Sequence, residues 1–238
     1  LSKLVVGYTD AGAPVTAEDV GAVGSMMSLL RYAIQPNLVQ TTEGQPVFIH
    51  AGPFGNIAHG CCSVIADKMA LAYSDYVLTE AGFGADLGFE KFMHIKTRFN
   101  GLQPYAAVIV ASVRALKSHG GIPIRELGSP SPTAVRAGMP NLKHLISAIK
   151  SFGLPVVVAI NKFPDDTAEE LSIVKEESEN AGAEAAVESD VFTLGGEGAI
   201  ELAEAVVKVT DREAPDITYM YDISDTLEQK IQSLASKM

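Results

Sequence analysis

The chain has 238 residues, 47% hydrophobic and 20% charged, which is the composition of a globular protein with a substantial core and not of a disordered one. With 29 acidic against 18 basic side chains its formal charge is −11, which argues against non-specific binding of nucleic acid or of an anionic membrane. Its two cysteines, Cys61 and Cys62, are adjacent, so there is neither a disulfide framework nor a thiolate zinc site, as in a reducing cytoplasm. The apolar runs "AAVIVASV" and "LPVVVAI" are too short to span a bilayer. No signal peptide is visible, and the start "LSKLVV" without Met leads us to expect a piece of a longer protein.

Strand-like and helix-like stretches alternate from end to end. "KLVVGY" reads as a strand, followed by a helix from Thr16, with Thr16 and Asp19 as its capping box, to the stop at Pro36. "PVFIHA" is a strand, "GCCSVIADKMALAYS" a helix, "DYVLTE" a strand, "DLGFEKFMHIKTRF" a helix and "YAAVIVASV" a buried strand. A Gly/Pro/Ser-rich loop runs from about Ser118 to Pro140, ahead of the helix "NLKHLISAIKSFG". The strand "LPVVVAI" and a helix capped by Thr167 and Glu170 follow, and "EAAVES", "GAIELAEAVVKVT", "ITYMY" and "DTLEQKIQSLASKM" continue the alternation. Nearly all-apolar strands joined through helices predict an α/β fold, with a predominantly parallel sheet flanked by helices. The long loop is the expected seam, with one domain over residues 1–140 and a smaller α/β unit over 141–238.

Ligands of open parallel sheets bind beyond the carboxyl ends of the strands, and four unusual loops fall there. "HAGPFGNIAHG" sets His50 and His59 around Gly52, Gly55 and Asn56; each histidine, taken singly, is more often a group that satisfies nearby backbone. "TEAGFGADLGFEK" carries Glu80 at a strand end, then Gly82, Gly84 and Gly88, then Asp86 at a helix start, where capping and function weigh evenly. "VASVRALKSHGG" places Arg114 and Lys117 after a buried strand, suited to phosphate or carboxylate or equally to a surface helix turn. "VVVAINKFPDDT" ends a strand at Asn161, where nucleotide-binding proteins often read a base, yet no Gly-Lys dipeptide of a phosphate loop occurs in the sequence. Phe163 there and Phe192 in "SDVFTLGGEGA" form a candidate pair for sandwiching a flat heterocycle, against the commoner fate of Phe as core.

Together these stretches resemble formate–tetrahydrofolate ligase. "PVFIHAGPFGNIAHGC", "EAGFGADLGFEKF", "VASVRALKSHGG" and "VVVAINKFPDDT" are similar to four long motifs of that family, in the same order. The resemblance implies ATP-dependent joining of formate to tetrahydrofolate through formyl phosphate. It implies ATP with Mg²⁺ as co-substrate, a monovalent cation as activator, a homo-oligomeric parent enzyme, and no nucleic-acid or membrane partner. It implies that Phe163 and Phe192, with Asn161, hold the folate ring, and that Glu80, Gly82, Gly84, Asp86 and Lys91 serve the nucleotide and formyl phosphate. Arg114 and His50 are the candidates for catalytic work, and no residue is assigned to a metal. The family's phosphate loop lies upstream of the matched region. The expectation is therefore an incomplete P-loop NTPase-like core, the middle portion of the ligase, with a non-catalytic folate-binding or assembly module as the alternative. Phe192 stands where many members carry Trp, and Lys162 where they carry Arg.

Overall fold

Five consecutive residues, Val156–Ile160, are at most 3% exposed, and they form the middle of the only parallel sheet among the described residues. This computed structural model describes residues 1–52, 60–82 and 84–237. Among them the chain forms two compact units, one of residues 1–52 and 61–80, the other of residues 60, 81–82 and 84–237.

The larger unit holds β5 (Ala107–Ala111), β6 (Val156–Asn161) and β7 (Ala185–Ser189), parallel and in the order β5-β6-β7. The crossover from β5 to β6 carries α4 (Val113–His119) and α5 (Pro132–Lys150), and that from β6 to β7 carries α6 (Ala168–Asn180). A valine run with no polar alternation suits a strand covered on both faces, as parallel crossovers require. After β7 come the short α7 (Val191–Leu194), a 3₁₀ turn over Gly195–Ala199, α8 (Ile200–Thr210) and finally α9 (Leu227–Lys237). Ahead of β5, Gly84–Phe89 and Phe92–Thr97 are wound as π-helix and run into one α turn, α3 (Arg98–Asn100). The expected helix is present there, in a winding that apolar periodicity does not reveal.

Helix α5 starts at Pro132, inside the stretch expected as loop, and runs through Pro140. Proline in a first helical turn is favourable because its missing N–H is one of the unpaired ones. The buried stripe Val135, Met139, Leu142, Ile146 and Ile149 begins well before the expected start. Since α5 spans residues 140 and 141, and β5 pairs with β6 across it, the units divide near residue 80 rather than at that seam. Gly138 explains itself by packing. A Cβ there would sit 2.0 Å from the Leu116 carbonyl oxygen, and one at Gly120 would sit 2.0 Å from that of Ala134. The α4 and α5 backbones touch at these two points.

In the smaller unit β1 (Val5–Tyr8) pairs antiparallel with β2 (Pro14–Thr16), and β3 (Asn37–Gln40) antiparallel with β4 (Pro46–Ile49). Parallel pairing thus belongs to the larger unit alone among the described strands. Thr16 and Asp19 do form the reciprocal bonds of a capping box, Thr16 N–H to Asp19 at 2.8 Å and Asp19 N–H to Thr16 Oγ1 at 3.3 Å. They cap only a turn: Gly21 follows at φ 66°, and α1 is confined to Val23–Leu30. Helix α2 (Val64–Tyr73) begins at Ser63, whose hydroxyl accepts from the Ala66 amide. The expected strands "DYVLTE" and "ITYMY" are not strands in the structure. The second lies against the turn after α5, where the Thr218 amide donates to the Phe152 carbonyl at 2.9 Å.

That same segment covers His94. The imidazole stacks on Tyr221 at 4.2 Å and meets Phe152 edge-on at 5.2 Å, and its ring nitrogens have no hydrogen-bond partner among the described residues. Burial, with the charges of Arg98 and Lys237, pulls its pKa down to about 4.

Two outcomes are expected. Gly138→Ala forces a methyl group into backbone and should lower the unfolding free energy by roughly 1–3 kcal/mol or more in urea titrations, at unchanged secondary structure. His94 stays neutral in the fold but protonates in the unfolded chain near pH 6.5. Its contribution is therefore intact at pH 7 and is lost as pH falls toward 4. From pH 7 to pH 5 this residue alone should remove about 2 kcal/mol, a slope that His94→Phe abolishes in paired urea titrations.

Candidate ring-binding site

The three parallel strands end side by side, with Ala111 paired to Ile160 and Asn161 to Ser189. The loops beyond them therefore share one edge. After β5, the Ser112 hydroxyl accepts from the Ala115 amide and starts α4, which carries Arg114 in its first turn. After β6 come Lys162 to Thr167. After β7 comes the turn from Asp190 to Ala199.

Phe163 is held from several sides. Its amide donates to Asp166 Oδ2 at 2.8 Å, and the Asp166 amide donates back to the Phe163 carbonyl at 3.0 Å. The Arg114 guanidinium lies over the ring, 4.6 Å from its centroid, and is ion-paired to Asp165. Phe192 lies beyond, with ring centroids 6.5 Å apart and planes tilted by 39°. Phe192 is 75% exposed, so it is not core. The glycine turn accounts for that exposure. Gly195 sits at φ 62°, the Asp190 amide donates to the Gly198 carbonyl at 3.0 Å, and a Cβ at Gly198 would fall 2.4 Å from the Asp190 carbonyl oxygen. The turn folds tightly on Asp190 and leaves the intervening α7, with Phe192 on it, facing water.

Two rings that clamp a flat heterocycle need two carbon contacts of about 3.5 Å each, or roughly 7 Å between centroids. The Phe163–Phe192 centroid spacing of 6.5 Å is close to that, with the ring planes 39° from parallel.

Charges around the rings are mutually engaged. Lys162 Nζ lies 2.9 Å from Glu188 and 3.8 Å from Asp190; the Glu188 hydrogen bond and charge raise its pKa. An open cleft of about 350 Å³ is lined by Lys162, Asp166, Ser172, Lys175 and Glu188. Burial pushes the Asp166 carboxyl up, against the Phe163 amide and Lys117, which pull it down. Lys117, expected as a cation at the sheet edge, is instead fully buried, with Nζ 3.1 Å from the equally buried Glu170. Asp165, Asp166 and this ion pair are missed by reading the sequence for cations and aromatics, although the Asp-Asp-Thr run after Phe-Pro was visible.

A sequence model of the formate–tetrahydrofolate ligase family matches residues 1–238. The chain belongs to the formate–tetrahydrofolate ligase family. Members of that family are ligases that join formate to tetrahydrofolate with ATP. The architecture is α/β, with a three-stranded parallel sheet flanked by helices in the larger unit and two-stranded ribbons in the smaller, consistent with an NTPase-like core. Among the described residues no helix is long and apolar enough to cross a membrane.

Of the other residues singled out from sequence, Gly82 and Gly84 have φ of 87° and 65°, and a Cβ on Gly84 would meet Asp86 Oδ1 at 2.6 Å. Asp86 is exposed near the start of the first π-helical segment, and Lys91 is half-buried between the two segments. Asp86 faces a second open cleft, of about 410 Å³, with Glu90 and His144. In the smaller unit Glu80 is exposed, and His50 is buried with both nitrogens engaged. His50 Nε2 donates to the Ala33 carbonyl at 2.7 Å, which leaves Nδ1, 2.6 Å from Ser63 Oγ, to accept from that hydroxyl. Gly55, Asn56 and His59 of the first glycine loop lie outside the described residues.

Proposed function

We propose that the chain carries the tetrahydrofolate ring site of an ATP-dependent ligase that makes 10-formyltetrahydrofolate through formyl phosphate. The observation that carries this reading is the exposed Phe192 set 6.5 Å from Phe163 at the ends of adjacent parallel strands, in a chain of this family. An aromatic ring left in water beside a second ring offers a face that a planar ligand would cover, and the pterin is the planar part of the family's substrate. Asn161, the last residue of β6, adds a hydrogen-bonding amide at the rim.

Formate is a poor electrophile. Transfer of the γ-phosphoryl group of ATP to a formate oxygen makes the carbon acylating. The folate nitrogen then attacks that carbon, a C–N bond forms, the C–O bond to phosphate breaks, and the nitrogen loses its proton. What the ring site contributes is orientation: it fixes the nitrogen relative to the acyl donor, a positioning effect. Gly82 and Gly84, with Glu80, Asp86 and Lys91, are assigned to the nucleotide and formyl phosphate. Supporting this are their positive-φ glycine backbone and the start of a helical stretch, where amides are unpaired. Phosphoryl transfer also calls for a phosphate-cradling lysine loop and Mg²⁺. The sequence has no Gly-Lys dipeptide, so these residues do not supply that loop. Arg114, engaged with Phe163 and Asp165, is assigned to holding the ring, and His50 to the architecture of its own unit.

Calorimetric titration with tetrahydrofolate tests the reading. Phe163→Ala and Phe192→Ala should each weaken binding by about 2- to 12-fold, the equivalent of roughly 0.5–1.5 kcal/mol per stack, at unchanged ATP affinity and circular dichroism. Equal losses for both ligands, or no saturable tetrahydrofolate binding by the unsubstituted chain, would overturn it.

A further inference from the structure

We infer that the buried Lys117–Glu170 ion pair is a positioning device for Phe163, setting the geometry of the ring site rather than stabilising the fold; the inference rests on the ring-site reading above. A fully buried ion pair generally does not stabilise a fold relative to apolar side chains of the same volume, because desolvation offsets the attraction. Its presence needs another reason, and its bonding supplies one.

Every acceptor direction of the carboxylate is used. Glu170 Oε1 takes Lys117 Nζ at 3.1 Å and the Ser131 amide at 2.8 Å. Oε2 takes the Thr167 amide at 3.0 Å and the Thr167 hydroxyl at 2.9 Å. Lys117 Nζ also donates to the Ser129 carbonyl at 3.2 Å. One ammonium–carboxylate contact therefore fixes four pieces of chain to one another: α4, the 129–131 turn, the end of the Phe163 loop and the start of α6.

A capping box needs only an exposed glutamate at its third position. Here the glutamate is buried and neutralised from a different helix, which capping alone does not call for. Burial raises its pKa, but the bonds from Ser131, Thr167 and Lys117 outweigh that and keep it ionised.

The link to Phe163 is short. Thr167, bound by Glu170, directly follows Asp166, whose carboxylate holds the Phe163 amide. Arg114 lies three residues before Lys117 on α4 and covers the Phe163 ring. Residues three apart lie on one helix face, so α4 locates Phe163 twice, once through its ring and once through its loop.

The test combines hydrogen exchange with tetrahydrofolate titration on the paired substitution Lys117→Met/Glu170→Gln. Glutamine preserves a capping box while both buried charges are removed. The expected result is an unchanged or raised urea midpoint and exchange about tenfold faster at the Phe163 and Asp166 amides. Exchange at Val157–Ile160 should not change, and tetrahydrofolate affinity should be about tenfold weaker, since small misplacements near a reacting group are costly. A folded double variant with wild-type exchange in the loop and wild-type affinity overturns the inference. If the double variant does not fold, Glu170→Asp decides. It keeps the charge and draws the carboxylate back by one methylene, and faster exchange confined to the loop supports positioning. Wild-type loop exchange in Glu170→Asp would show that the pair serves stability alone. Exchange needs no ligand, so failure of the unsubstituted chain to bind tetrahydrofolate would count against the ring site and leave the role of the pair to be decided separately.

Discussion

The larger unit depends on one constraint: β6 is covered on both faces. Val156 to Ile160 present side chains alternately to the two sides of the sheet, and all five are buried. A strand in that position is reached by a ligand only at its ends. The sheet is parallel, so the carboxyl ends of β5, β6 and β7 coincide, and Arg114, Phe163 and Phe192 come to one edge without being near one another in sequence. The close backbone approach of α4 to α5, which Gly120 and Gly138 permit, belongs to the same constraint, because α4 can hold Arg114 and Lys117 in place only if it is itself seated.

An acidic chain with few cations uses several of them internally. Arg114 is spent on Asp165 and the Phe163 ring, Lys117 on Glu170, and Lys162 on Glu188 and Asp190. Charge at this edge does structural work before any ligand arrives. The carboxylates Asp165, Asp166, Glu170, Glu188 and Asp190 outnumber these three cations, so the edge keeps an acidic balance and none of the three is left without a carboxylate partner.

Much of this was legible in the sequence, for identifiable reasons. The α6 capping box is legible because Thr167 and Glu170 are adjacent through a helical turn, and their signal is entirely local. β6 was legible because an unbroken valine run suits little else. The helix at Pro132 was not, because proline and serine speak equally for a loop and for a first helical turn, and only the buried stripe from Val135 decides between them. Thr16 and Asp19 carry the pattern of a helix start, and their bonds exist, but Gly21 ends the turn before a helix forms. Of the site, the aromatic pair was visible as a pattern. The burial of Lys117 was not, since its partner lies 53 residues further on and no local rule connects the two.

Phe192 is one of several large apolar side chains exposed among the described residues, and it stands beside a second ring. Three quarters of its side chain is hydrated at a place where a neighbouring ring offers it little cover. Any planar molecule that settles there releases that hydration shell, and apolar dehydration registers most reliably as a negative change in heat capacity. The temperature dependence of the binding enthalpy, more than the enthalpy at one temperature, would then carry the signature of this side chain.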